Sequence, residues 1–207
     1  MPKRNTKNYS KFTFEDLKML GLRTVVTKLF ADETIKPVLP TAMLVETLES
    51  ATDVSLDTEK ARSEFLIAPI LRELQKNNKN VFSVYSGFNF DVDATKGLQG
   101  FCDYLLARLP LTIVPDAPII AVVEAKLSGS LAAAVPQCAA EMYATRIWNE
   151  RRGEPTQIVY GAITTGDNWL FLRFADEITI EVDKIVYPLK PLEALLGVLQ
   201  HIVNQYK

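Results

Sequence analysis

Residues 117–127, APIIAVVEAKL, constrain this chain more than any other segment. Five consecutive apolar residues, Ile119 to Val123, four of them β-branched, stand between Pro118 and the polar pair Glu124 and Lys126. A run of this length and composition reads as a strand buried on both faces, and such a strand lies inside a sheet that carries helices on its two sides. The neighbouring segments agree. Upstream, residues 58–79 (TEKARSEFLIAPILRELQKNNK) place Leu66, Ile67, Ile70, Leu71 and Leu74 at helical spacing, with Pro69 expected either to kink the helix or to mark where a tight inner turn is allowed. VFSVYSG and FNFDVD are strand-like and separated by Gly87, and GFCDYLLARLP reads as a further strand.

Downstream, an Ala-rich helix is expected over about 131–149. Two strands, TQIVYGAITTG and WLFLRFAD, turn near Gly166-Asp167-Asn168, and ITIEVDKIVYP follows. The segment PLEALLGVLQHIVNQYK carries a one-sided apolar stripe and closes the sequence as an amphipathic helix. Before residue 57, Thr13 reads as an N-cap for FEDLKMLG, with Gly21 as a stop, and Pro40-Thr41 opens a second helix. The expectation is one α/β domain over 1–207. It comprises a basic arm and helical prefix (1–56), a core of mixed sheet flanked by helices (57–175), and an extra strand and C-terminal helix (176–207).

The chain's 207 residues include one histidine, His201, and two cysteines, Cys102 and Cys138. No CxxC or HExxH is present, so zinc-hydrolase and zinc-finger chemistry lacks ligands, and a Ser-His-Asp or Cys-His site would need His201 alone. No Walker A, GxGxxG or GxSxG motif occurs. No apolar run reaches the length of a membrane span and the polar N-terminus lacks a leader-like core, so a cytoplasmic protein is expected. Net charge is −2, yet Lys3, Arg4, Lys7 and Lys11 occur with no acid in the first eleven residues. Such an arm reads first as a solvated terminus and second as a phosphate contact.

The chemistry-bearing residues end the buried strand. Glu124 and Lys126 are two apart, so both face one side, roughly 6.7 Å from each other. Chance alone places about two acid-x-Lys triplets in such a composition, and two are present. The other, Asp16-Leu17-Lys18, falls in a helix, where the two ends face different ways. Asp103 lies early in the preceding strand, where pairing could set it beside Glu124. Two carboxylates supply the hard oxygen ligands that Mg²⁺ prefers. A lysine beside them can hold a water or stabilise a phosphorane-like charge, helped if burial lowers its pKa.

These residues and their order resemble the PD-(D/E)xK restriction-endonuclease-like nuclease superfamily, in particular the N-terminal nuclease domain of type I restriction enzyme motor subunits. The resemblance covers about 57–175 through ARSEFLIAPILREL, GFCDYLL, VVEAKL and a Gln in the next helix. It implies an α-β-β-β-α-β core. It makes Glu64 the first-helix acid, Asp103 the motif Asp, Glu124 and Lys126 the ExK pair, and Gln137 the downstream Gln. Asp103, Glu124 and Glu64 would then hold Mg²⁺, with Mn²⁺ able to substitute. Two positions depart from the pattern: Glu141 stands where a Tyr often follows the Gln, and Cys102 stands where a Pro often precedes the Asp. The expected function is a Mg²⁺-dependent nuclease acting on DNA, away from membranes. The alternative is a catalytically silent module of the same fold that binds nucleic acid or protein. A homodimer, or a partner subunit that supplies specificity, suits a chain with no recognisable target-recognition or motor domain.

Other features have plainer readings. Asp91, Asp93 and Thr95 resemble the start of a calcium loop but lack its Gly and Glu positions, so a turn is expected. His201 reads as a surface residue, Cys102 and Cys138 as small packing groups, and Trp148 and Trp169 as core or interface aromatics. Arg72, Lys76 and Lys79, at i, i+4 and i+7, either complement a helix dipole or form a phosphate track; Arg146, Arg151 and Arg152 leave the same choice.

Overall fold

A computed structural model describes residues 7–79, 81–108 and 110–207. Lys3 and Arg4 of the basic arm lie outside the described residues. In chain order the α-helices and strands are α1 (Phe14–Met19), β1 (Arg23–Thr27), α2 (Ala42–Ser50), α3 (Glu59–Arg62), α4 (Ala68–Asn77), β2 (Phe82–Asn89), β3 (Phe101–Arg108), β4 (Ile119–Ala125), α5 (Val135–Arg151), β5 (Val159–Thr164), β6 (Asn168–Phe174), β7 (Thr179–Pro188) and α6 (Leu192–Asn204). The strands form one sheet in the order β1-β7-β6-β5-β4-β3-β2. β1 with β7 and β4 with β5 pair parallel, and the other neighbours antiparallel. The α-β-β-β-α-β core order is present, and the sheet is mixed as expected. No helix among the described residues is long and apolar enough to cross a membrane.

The apolar run forms β4, and every residue of that strand is buried. Alternation divides its side chains between two cores. Val122 joins Cys138, Ala139 and Met142 of α5 on one face, whereas Val123 joins Ile70, Leu74 and Leu199 under α4 and α6 on the other. A strand covered on both sides has no use for polar alternation, which is why its sequence is continuously apolar. Asn149, buried near the end of α5, ties that helix to the start of β4 by a pair of 2.8 Å bonds with the backbone N–H and C=O of Ile119.

Two local expectations change. The prefix is not wholly helical, because the β-branched run Arg23–Thr27 pairs with β7 at the sheet edge. Gly87 does not separate two strands; it sits inside β2 at φ +62°, where a side chain would be strained. The following FDVD is a turn: Asp91 accepts from the Gly100 N–H at 2.9 Å, and Asp93 caps a 3₁₀ turn at Thr95. Of the two readings of Pro69, the inner turn is the one found: a π-helical turn over Ser63–Ile67 joins α3 to α4 and places the proline in the first turn of α4. The N-cap at Thr13 forms as read and closes a capping box with Asp16, and the helix opened by Pro40-Thr41 is capped by the Thr41 side chain.

Candidate functional site

Strand register creates the site. Tyr104 of β3 lies opposite Val123 of β4, so one step further along the antiparallel pair sets Asp103 against Glu124. Here the strands are joined by a side chain as well: Asp103 Oδ2 accepts from the Ala125 N–H at 2.7 Å. Glu124 and Lys126 lie on the α5 side of the sheet, where Lys126 Nζ donates to Glu124 Oε1 in a short ion pair and to Gln137 Oε1 at 3.2 Å. Parallel pairing with β5 fixes the end of the strand, through a 2.8 Å bond from the Lys126 N–H to the Thr164 carbonyl.

Gln137 can reach Lys126 because α5 approaches the sheet closely. Gly161 of β5 lies under the helix, and a Cβ there would sit 2.5 Å from Met142 Sδ and 2.7 Å from Cys138 Sγ. The missing side chain lets the first turns of α5 rest on β4 and β5. One turn beyond Gln137, Glu141 is fully buried and accepts from Gln137 Nε2 at 3.2 Å. The result is a relay from Glu141 through Gln137 and Lys126 to Glu124. Sequence reading treated Glu141 only as a departure from a family pattern; its i+4 spacing from Gln137 was the available signal that the two share a face.

The electrostatics follow from depth. Burial and the neighbouring Asp103 raise the Glu124 carboxyl, against the pull of Lys126, to about 7. Burial and the adjacent Glu124 push Glu141 well above the usual carboxylate range, and burial raises Asp103 more modestly. Burial alone would lower the Lys126 ammonium, but Glu124 outweighs it and holds the group above its ordinary value, opposite to the depression that would aid catalysis. Cys102 and Cys138 are buried beside these acids, with both thiols pushed up by that burial.

Four of the five residues singled out in the sequence, Asp103, Glu124, Lys126 and Gln137, therefore converge. Glu64 does not join them through any hydrogen bond. Its exposed carboxylate pairs with Lys60 at 3.7 Å and lines a groove between α2 and α4. Its neighbour Ser63 touches the cluster's strand, with Ser63 Oγ 2.6 Å from Tyr104 Oη. Among the described residues, no three His, Cys, Asp or Glu side chains are arranged to hold a metal ion. Two observations nonetheless fit a hard cation between Asp103 and Glu124: both donors are carboxylates, and the buried Glu124 Oε2 has no hydrogen-bond partner. No family model matches the chain. No curated protein matches it either.

The remaining sequence candidates have structural duties. Trp169 is buried and donates to the Gly166 carbonyl at 3.2 Å, and Trp148 lies between Phe90 and the Arg152 guanidinium. Arg151 and Arg152 pair with Asp93 and Asp116, while Arg146 stacks on Phe174. His201 is only partly exposed and meets the edge of Phe30 at 5.6 Å.

Proposed function

We propose that this chain is a divalent-metal-dependent nuclease that hydrolyses phosphodiester bonds in DNA, a member by function of the PD-(D/E)xK class it resembles. The observation that carries the reading is the convergence of Asp103, Glu124 and Lys126 at the end of a buried strand, with Gln137 bonded to the lysine. Asp103 and Glu124 would hold Mg²⁺ or Mn²⁺, which would acidify a water and neutralise charge at the scissile phosphate. Lys126 has three N–H donors and commits two of them to Glu124 and Gln137. The third is left for a phosphate oxygen or the attacking water, held in place by the other two. Gln137 acts on Lys126, and Glu141 fixes the amide of Gln137 so that its carbonyl, not its NH₂, meets the ammonium.

The test is cleavage of supercoiled plasmid and of labelled single- and double-stranded DNA with Mg²⁺ or Mn²⁺. Lys126→Ala and Asp103→Asn should each lower the rate by about 10²–10³-fold; unchanged rates in both would sink the site. One observation favours the silent-module reading, namely that Glu64 stands apart in a pair with Lys60. DNA binding by the wild-type chain with no cleavage under either metal would select that alternative.

A further inference from the structure

A groove of about 570 Å³ lies between α2 and α4, and the proposed chemistry does not use it. One wall carries Met43 and Thr47 of α2; the other carries Arg72 and Lys76 of α4, with Lys79 just past the helix end. All three cations are exposed, and none has an ion-pair partner among the described residues. The acids of the lining are engaged elsewhere. Glu73 is buried and accepts from the Thr41 N–H at 2.9 Å and from its hydroxyl at 3.0 Å, while Glu64 faces Lys60. Lys60, Arg62, Lys126, Arg151, Arg152 and Arg173 each have an acid in reach. Among the described residues, exposed lysines such as Lys184 and Lys190 have none, but only at this groove do three such cations line one concavity.

We infer that this groove is a binding track for the sugar–phosphate backbone of a nucleic-acid strand. Arg72 and Lys76 are about 6 Å apart along the helix axis, on the order of the separation of neighbouring phosphates, and Lys79 extends the row. Met43, 68% exposed on the facing wall, offers an apolar flank for the sugars. The Glu64 end of the groove adjoins Ser63, which touches Tyr104 of β3. Tyr104 pairs with Val123 on the α4 side of the sheet, the face opposite Asp103, so the track lies on the far side of the sheet from the candidate active site and does not open into it. The helix-dipole explanation accounts for cations near the end of α4, but not for their alignment along one groove whose acids are already occupied.

The inference takes its ligand from the nuclease reading, and the experiment separates the two. Binding of a fluorescein-labelled 20-mer, single- and double-stranded, is followed by anisotropy in EDTA from 50 to 300 mM salt. Four proteins are compared: wild type, Lys126→Ala, the triple variant Arg72→Gln/Lys76→Gln/Lys79→Gln, and a charge-matched control, Lys18→Gln/Lys184→Gln/Lys190→Gln. The groove variant should bind at least tenfold more weakly at 50 mM salt, and its slope of log affinity against log salt should fall by about 2–3, near one per lost contact. The control should keep the wild-type slope, and Lys126→Ala, which removes at most one phosphate contact, should lower it by no more than about one. A lowered melting temperature with an unchanged slope assigns the cations to the helix dipole and overturns the inference, as does equal loss in the control. So does a variant that fails only to bind phosphatidylserine vesicles. Lys126-dependent cleavage with an unchanged slope sinks the track alone. A groove-dependent slope with no cleavage under any metal keeps the track and sinks the nuclease.

Discussion

Glu141 is the residue whose environment is most demanding. Its carboxyl is fully buried, receives one hydrogen bond from Gln137, and leaves Oε2 unpartnered beside Glu124. Because folding raises the affinity of both Glu124 and Glu141 for protons, the native state binds more protons than the unfolded chain between the ordinary carboxylate range and neutral pH. Stability contributed by these groups is therefore present at low pH and is lost as pH rises, through about 7 for Glu124 and in the same direction for Glu141, whose carboxyl burial and Glu124 push well up. Glu141→Gln keeps an oxygen to accept from Gln137 and removes the buried charge. It should raise the melting temperature at pH 8 by several degrees, equivalent to about 1–3 kcal/mol, and change it little at pH 5. Thermal scans across pH 5–8 read this directly, and an equal shift at every pH would contradict the assignment. The sequence exposed Glu124 and Lys126 because strand alternation fixes their common face. It could not expose the depth of Glu141, since the moderate polarity of α5 does not say how far the helix sinks onto the sheet.

At the scale of elements, Gly161 decides that depth. Ordinary side chains at this position would meet Met142 and Cys138, both fully buried and with little room to retreat. Gly161→Ala should cost about 1–3 kcal/mol by overpacking, and it should also lift α5 enough to weaken the Gln137–Lys126 bond. Denaturant titration measures the first effect, and the ¹⁵N shift of the Lys126 side chain the second. The element order from α3 to β5 was legible because α4 carries helical spacing, β4 is a continuous β-branched apolar run and α5 is Ala-rich. β1 was not, because a five-residue β-branched run between two capped helices is too short to register by alternation, and the strand is specified by its partner β7, far away in sequence. Gly87 misled for a related reason: a positive-φ glycine inside a strand and a turn glycine between strands look alike until pairing is known.

Across the whole molecule, the candidate site occupies the middle of the sheet. β4 has paired neighbours on both sides and helices on both faces, whereas β1 and β2 form the two edges. Amide hydrogens of residues 122–125 should therefore exchange only through global unfolding, while those of Arg23–Thr27 exchange by local opening at rates at least tenfold faster. Hydrogen–deuterium exchange followed by mass spectrometry checks this, and equal protection of the two segments would argue against so graded a structure. This rigidity suits a lysine that must be held, but it also means that conformational adjustment to a ligand falls to the periphery, including the α2–α4 groove.

The pairing of β1 with β7 also bears on how the chain is made. Arg23 Nε donates to Thr179 Oγ1, a bond spanning 156 residues of sequence. At ribosomal rates of 5–20 residues per second, β1 emerges and then waits about 8–30 s before its partner strand exists. Throughout that interval the first strand of the nascent chain is an unclaimed β-branched edge, with Val25 and Val26 available to any passing strand. Chaperone dependence during translation should thus trace to residues 23–27 rather than to the far more apolar segment that becomes β4.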